Sequence, residues 1–196
     1  MARWQPNAPE RLVVAALDLF AERGYDSTTV IDIAQRAGLT KSTFFRHFPD
    51  KREVLFAGGG SMADVLAQGI AGAPGDAAPL EAVAQGLDAV GREIFVPARR
   101  AFASKRRTVI AANPELRERE ALKGIGLTAA MAAALRSRGV PDVASRVAAQ
   151  LGALVMAIAH ERWTGTDAGE GLGEEFGGVA RRALAEVREA GALSLG

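Results

Sequence analysis

The chain has 196 residues, of which 48% are hydrophobic and 24% charged, with a formal net charge of +1. That balance suits a globular protein of one domain or two small ones and excludes a disordered or polybasic chain. With no cysteine, disulfides and thiolate metal sites are excluded, which fits a cytoplasmic setting.

In chain order, residues 1–8 read as a loose terminal arm, and no apolar signal region follows Met1-Ala2-Arg3-Trp4. A first helix begins near Ala8-Pro9, with proline tolerated in the opening turn, and Val13, Ala16, Leu17 and Phe20 form its buried stripe. Gly24 ends it, and Ser27 or Thr28 opens the second helix, where Val30, Ile33 and Ala34 share one face. Gly38 stands where a tight turn needs positive φ, with Leu39 as an apolar plug behind it. Thr40 then caps a third helix, its hydroxyl placed for the amide of Thr43. Phe44 and Phe48 face inward there, so Lys41, Ser42, Phe45 and Arg46 face outward.

A fourth helix is expected from Pro49-Asp50-Lys51, interrupted by Gly58-Gly59-Gly60 as either a soft joint or an ordinary loop. A short helix, Ser61 to Ile70, leads into the linker from Ala71 to Asp76. Leu80, Val83, Leu87, Val90 and Ile94 make one clean helical stripe, broken at Pro97. Helices follow to about Ala112, from Glu115 to Arg138 with a stop at Gly139-Val140-Pro141, and from Asp142 to about Trp163. A Gly-rich loop, Gly165 to Gly173, precedes a last helix from Glu174 to Ala190. The expected fold is therefore all-α with nine helices. Its longest apolar run, Leu151 to Ala159, is far short of a membrane span, so no membrane partner is expected.

The helical hairpin between Thr28 and Lys51 carries the chemistry. From Arg36 to Arg52 there are five basic residues and one acid, a net of +4, whereas all of residues 1–56 carry eight basic and seven acidic residues. Positive charge is concentrated on the outward helix, as in a protein that lays a helix into a DNA major groove. The bland alternative is a solvated hairpin with an ordinary basic face.

The stretch ERLVVAALDLFAERGYDSTTVIDIAQRAGLTKSTFFRHFPDKREVLF resembles the N-terminal DNA-binding domain of the TetR family of bacterial transcriptional regulators. Its specific elements are A-L-x-L-F-A-E-x-G-Y, T-T-V-x-D-I-A, A-G-L-T-K-S-T and H-F-P-x-K. The resemblance implies a DNA-binding domain over 1–50, a ligand-binding and dimerisation domain over 51–196, and a homodimer that represses, or less often activates, transcription and releases DNA when a small hydrophobic effector binds. By that likeness Thr29, Thr40, Lys41, Ser42, Thr43, Phe45, Arg46, His47 and Lys51 face the operator. Thr29 is equally accounted for as a cap, and His47 as packing under the recognition helix. Two departures stand out: Phe45 where the family usually has Tyr, and Ser42 where it usually has Gly. They leave open a helical small-molecule-binding or scaffold protein whose hairpin no longer reads DNA.

The stretch R-R-T-V-I-A-A-N-P-E-L-R-E-R-E, with the later R-W, resembles the C-terminal domain of TetR-type regulators that take acyl-CoA-like ligands. An apolar cavity is expected among Leu87, Val90, Ile94, Phe102, Ile125, Met131, Leu135, Leu151 and Trp163, with Arg106 at a basic mouth for an anionic headgroup. The cations from Arg99 to Arg107 read equally as a solvated face paired with Glu115, Glu118 and Glu120. A dimer is expected through the small residues Ala148, Gly152, Val155 and Ala159 and through Phe176, Ala180, Ala183 and Val187, leaving Val143, Val147, Leu151, Leu154 and Ile158 for the core. Gly124-Ile125-Gly126-Leu127-Thr128-Ala129 spells a dinucleotide fingerprint but has no strand before it. No nucleophile–base pair and no metal-ligand spacing occurs, so neither catalysis, nor a cofactor, nor a metal is expected.

Overall fold

The structure is a computed structural model that describes residues 7–57, 59–165 and 175–193. Arg3 and Trp4 of the expected arm, Gly58, most of the expected Gly-rich loop and Glu174 lie outside the described residues. The described residues form nine α-helices and two 3-10 turns, with no strand among them. The helices are α1 (Ala8–Arg23), α2 (Val30–Arg36), α3 (Lys41–His47), α4 (Gly59–Ala71), α5 (Pro79–Glu93), α6 (Arg100–Ala111), α7 (Pro114–Ser137), α8 (Asp142–Thr164) and α9 (Phe176–Leu193). The helix expected from Pro49 is instead a 3-10 turn, Arg52–Phe56, and α4 starts within the glycine run at Gly59.

The chain forms two compact units. One comprises Met1–Gly58 with Lys105–Ala121, the other Gly59–Ser104 with Leu122–Gly196. The first therefore takes in the 3-10 turn beyond residue 50 and the α6–α7 corner, which a division at 50/51 separates from it. The reason lies in the side chains of that corner. Arg119 is paired with Glu53, Lys105 with Asp18, and Arg106 donates to the Leu55 carbonyl at 2.8 Å.

In the first unit, local chemistry sets the element ends. Asn7 accepts from the Glu10 amide, Pro9 occupies the first turn of α1, and Gly24 closes the helix at φ 86° with its N–H on the Phe20 carbonyl. Leu12, Ala16, Leu17 and Phe20 of α1 pack with Ile33 and Ala34 of α2 and Phe44 of α3 as the buried core. Val13, expected in that stripe, is only half-buried. The cap of α2 is Thr29 rather than Ser27 or Thr28. Thr28 is buried and donates its hydroxyl to the Gly24 carbonyl at 2.8 Å.

In the second unit, α5 is the central helix and packs against α4, α8 and α9. It meets α4 at paired glycines: a Cβ on Gly69 would lie 2.7 Å from the Gly86 backbone. Leu66, Ile70, Val83, Leu87, Val90, Met131, Leu135, Trp163 and Phe176 belong to one buried cluster. Arg138 fastens the end of α7 by donating to the carbonyls of Ile70 and Ala73 at 3.2 and 2.8 Å.

Helix α8 reverses the expected assignment of faces. Ala148, Gly152, Val155 and Ala159 are buried within the monomer, as are Phe176, Ala180 and Ala183 of α9, with Val187 half-buried. The seven buried ones are taken up by the core of the chain itself. Val143, Val147 and Leu154, assigned to the core, are instead 74%, 54% and 49% exposed, while Leu151 and Ile158 are half-buried. The cause is the close approach of α5, since a Cβ on Gly152 would lie 2.5 Å from Val83 Cγ1. Only the small-residue face of α8 fits that space, so its large residues turn outward. By length and apolar composition alone α8 would suffice to cross a bilayer, but its small-residue face is packed on α5 and α9.

Candidate nucleic-acid interface

The outward face of α3 rests on a rigid turn. Gly38 has φ 65°, the left-handed conformation that favours glycine, and Leu39 donates its N–H to the Ala34 carbonyl at 2.8 Å. Arg11 of α1 donates to the Ala37 carbonyl from the same side, a restraint that α1's helical pattern does not reveal. A Cβ at position 38 would meet the Arg11 guanidinium at 2.8 Å. Thr40 caps α3 as expected. Its hydroxyl accepts from the Thr43 amide at 3.2 Å and lies 3.0 and 2.9 Å from the hydroxyls of Ser42 and Thr43.

Lys41, Ser42, Phe45, Arg46 and His47 are exposed, while Phe44 and Phe48 are buried beneath them. The Phe45 ring stands edge-on to Phe44 with centroids 5.6 Å apart, and the Lys41 ammonium lies 5.9 Å from its centroid. A half-exposed phenylalanine there offers an apolar surface of the kind that contacts a thymine methyl, in place of a hydroxyl for phosphate.

The local cations divide into two sets. Arg36 makes a two-pronged contact to Glu22 at 3.0 and 2.8 Å, and Arg52 is paired with Asp50 at 3.0 Å. Hydrogen bonding to Arg36 lowers the Glu22 pKa and raises that of Arg36. Lys41 and Arg46 have no acidic partner among the described residues. The charge available to an anion is thus narrower than the count from Arg36 to Arg52 implies, and it is centred on α3.

Two side chains expected to face the operator are engaged within the protein. Thr29 forms a capping box with Asp32: its hydroxyl accepts from the Asp32 amide at 3.2 Å, and Asp32 accepts from the Thr29 amide at 2.8 Å. Asp32 is the residue missed by reading only for a cap, although its place three positions after Thr29 is the signal. Lys51, the second of them, donates to the carbonyls of Tyr25 and Thr28 at 2.8 and 3.1 Å.

Most of the expected ligand residues are packed among their neighbours. Leu87, Val90, Met131, Leu135 and Trp163 are tightly buried core, and Ile94, Phe102 and Leu151 are half-buried. Ile125 is 67% exposed, on a part of α7 where Gly124 and Gly126 face open space, so it lines nothing. Arg106 lies over the Phe56 ring and pairs with Glu120 at 3.0 Å, and burial lowers its pKa. With Lys105 on Asp18, the two are fastened within the first unit rather than forming a mouth. A shallow depression between α5 and α9, lined by Ala84, Leu87, Asp88, Ala180, Arg181 and Leu184, has no room for a water-sized sphere.

A short capped helix following a glycine turn, outward and basic, defines the class of helix-turn-helix DNA-binding domains. Residues 12–57 match the family described as bacterial regulatory proteins, tetR family. The HTH-type transcriptional regulator TcmR of Streptomyces glaucescens is 33% identical over 81 residues, 41% of this chain and 36% of that protein. The chain thus spans about a third of that relative's length, and 17% of two Bacillus subtilis relatives. Among solved structures, the fatty acid degradation regulator FadR from Bacillus halodurans has TM-score 0.60 at 15% identity, covering 94% of this chain and 96% of its own. Thermus thermophilus FadR, a TetR-family repressor in complex with lauroyl-CoA, has TM-score 0.51 at 21% identity, covering 92% and 93%. At those identities the likeness is one of fold. The family match is confined to residues 12–57, the segment that holds α2, the glycine turn and α3.

Proposed function

We propose that the chain is a transcriptional regulator, a repressor, that binds a palindromic operator as a homodimer with α3 in the major groove. The observation that carries this reading is the outward set Lys41, Ser42, Phe45 and Arg46 on a capped helix, with the neighbouring cations already paired. Association through the exposed α8 stripe of Val143, Val147 and Leu154 would cover apolar surface and give the two-fold symmetry a palindrome requires. Release by an apolar acid or its thioester draws support from the lauroyl-CoA complex of Thermus thermophilus FadR. Here such an effector must open the packed core around Leu87, Met131 and Trp163, because those side chains are buried and the depression between α5 and α9 has no room for a water-sized sphere.

The test is a mobility-shift titration of DNA taken from upstream of the coding region, at several salt concentrations and with an acyl-thioester length series. A nanomolar, salt-sensitive shift of a palindromic fragment supports the regulator. Its absence favours the helical binding or scaffold protein that the departures at Ser42 and Phe45 allow. A shift that no thioester reverses leaves the regulator and removes the acyl effector.

A further inference from the structure

Lys51 follows α3 in the chain, yet its ammonium is directed to the loop before α2. It donates to the Tyr25 carbonyl at 2.8 Å and the Thr28 carbonyl at 3.1 Å, and lies 3.9 Å from the centroid of the Tyr25 ring. An ammonium has three N–H donors. Two are engaged with carbonyls and the cation lies against an aromatic face, so most of its bonding is already directed into the protein. The Tyr25 ring is itself fixed, packed edge-on to Phe20 at 5.1 Å, with its hydroxyl donating to Glu115 of α7 at 3.3 Å. Thr28, whose carbonyl Lys51 holds, is buried and immediately precedes Thr29, the cap of α2.

We infer that Lys51 is a positioning residue, which fixes the start of α2 through the carbonyls of Tyr25 and Thr28 and thereby sets α2 and α3 against DNA without binding phosphate itself. The inference rests on the regulator reading above. Glu115, Tyr25 and Lys51 form a continuous path from the first turn of α7 to the cap of α2, so the α6–α7 corner bears on the same point.

The experiment compares wild type with Lys51→Met, which keeps a long apolar stem on the Tyr25 ring and removes the donors. DNA affinity is measured across a salt series, and amide hydrogen exchange is measured without DNA. Positioning predicts weaker binding by about tenfold at a fixed salt, the equivalent of roughly 1.4 kcal/mol. The slope of log K against log salt stays as in wild type, and the amides of Asp32 and Ile33, bonded to the Thr29 hydroxyl and carbonyl, exchange faster. A slope shallower by about 0.9 with unchanged α2 exchange is the signature of a lost phosphate contact and overturns the inference. Unaltered binding overturns it too, as does a variant whose exchange rises equally throughout the first unit, since Lys51 would then only stabilise the fold. If wild type itself binds no DNA, the regulator reading fails, and the exchange pattern at α2 still decides whether Lys51 anchors that helix.

Discussion

The helix-turn-helix unit and α8 are both built from regularly spaced apolar residues, yet they differ in what fixes their geometry. In the former, polar side chains and one glycine define each element: Thr29 and Thr40 cap, Gly38 turns, and Arg11 holds the turn's carbonyl. Little freedom is left over which face points outward. In α8 no side-chain cap bond marks the N-terminus, and two apolar faces compete for burial, one of large residues and one of small. What decides between them is a contact remote in sequence, the fit of Gly152 against Val83. Periodicity names a stripe; a neighbour chooses its face.

The strongest way to break that comparison is to reverse the choice. Gly152→Val places a Cβ 2.5 Å from Val83 Cγ1 and 3.3 Å from Met131 Sδ. Overpacking of this kind costs about 3 kcal/mol, the upper end of its usual range, read as a lower denaturant midpoint at unchanged slope. Val147→Ser and Leu154→Ser, on the exposed face, should each change monomer stability by no more than about 0.5 kcal/mol. Their effect should appear in association instead, as dissociation at micromolar concentration in sedimentation. Equal destabilisation by all three would restore the large residues to the core. A wild type that sediments as a single monomer would remove the dimer.

The difference also explains what could be read from sequence. All nine helices have a counterpart in the sequence, and α1, α3 and the end of α7 are marked also by Gly24, Thr40 and Gly139, whose chemistry is local. The start of α4 was obscured by three consecutive glycines. The fate of a charge was less legible than its presence. Arg36, Lys51, Lys105 and Arg106 all count as cations in the sequence, but Glu22, two backbone carbonyls, Asp18 and Glu120 lie 14 to 87 residues away along the chain. Ile125 illustrates the same limit for an apolar side chain, since nothing in its own helix says that Gly124 and Gly126 will face open space beside it.

A second test sharpens the division of cations. Arg46→Ala should lose about 1–3 kcal/mol of discrimination at particular base pairs if its guanidinium reads guanine. Lys41→Ala should also weaken operator binding, with part of the loss confined to particular bases. Arg36→Ala, whose charge is spent on Glu22, should leave the specificity profile unchanged. The measurement is competition binding against a panel of single-base operator variants. If Arg36→Ala alters the profile and Arg46→Ala does not, the outward face of α3 is misassigned.

The smallest expected effect concerns the capping box of α2, where the local chemistry of the first unit can be titrated. Thr29→Ala removes a cap worth about 1 kcal/mol. Asp32 offers the same device a pH dependence. Its carboxylate accepts from the Thr29 hydroxyl at 2.6 Å and amide at 2.8 Å, with Arg23 at 3.3 Å, and these contacts hold its pKa below the ordinary 3.8. The hydrogen bond from the Thr29 side chain is the largest cause, followed by that from its backbone. Because the folded value is depressed, the stabilisation is fully present above the unfolded pKa of 3.8 and is lost as pH falls through the lower folded value. Acidification from pH 5 should therefore loosen α2 only below about pH 4, read by faster amide exchange at Asp32 and Ile33 relative to α1. In Asp32→Asn the local acid sensitivity should vanish, because no proton is taken up there. If that variant keeps the same acid transition at α2, the group responsible is not Asp32, and the capping box is not what distinguishes this end of the helix.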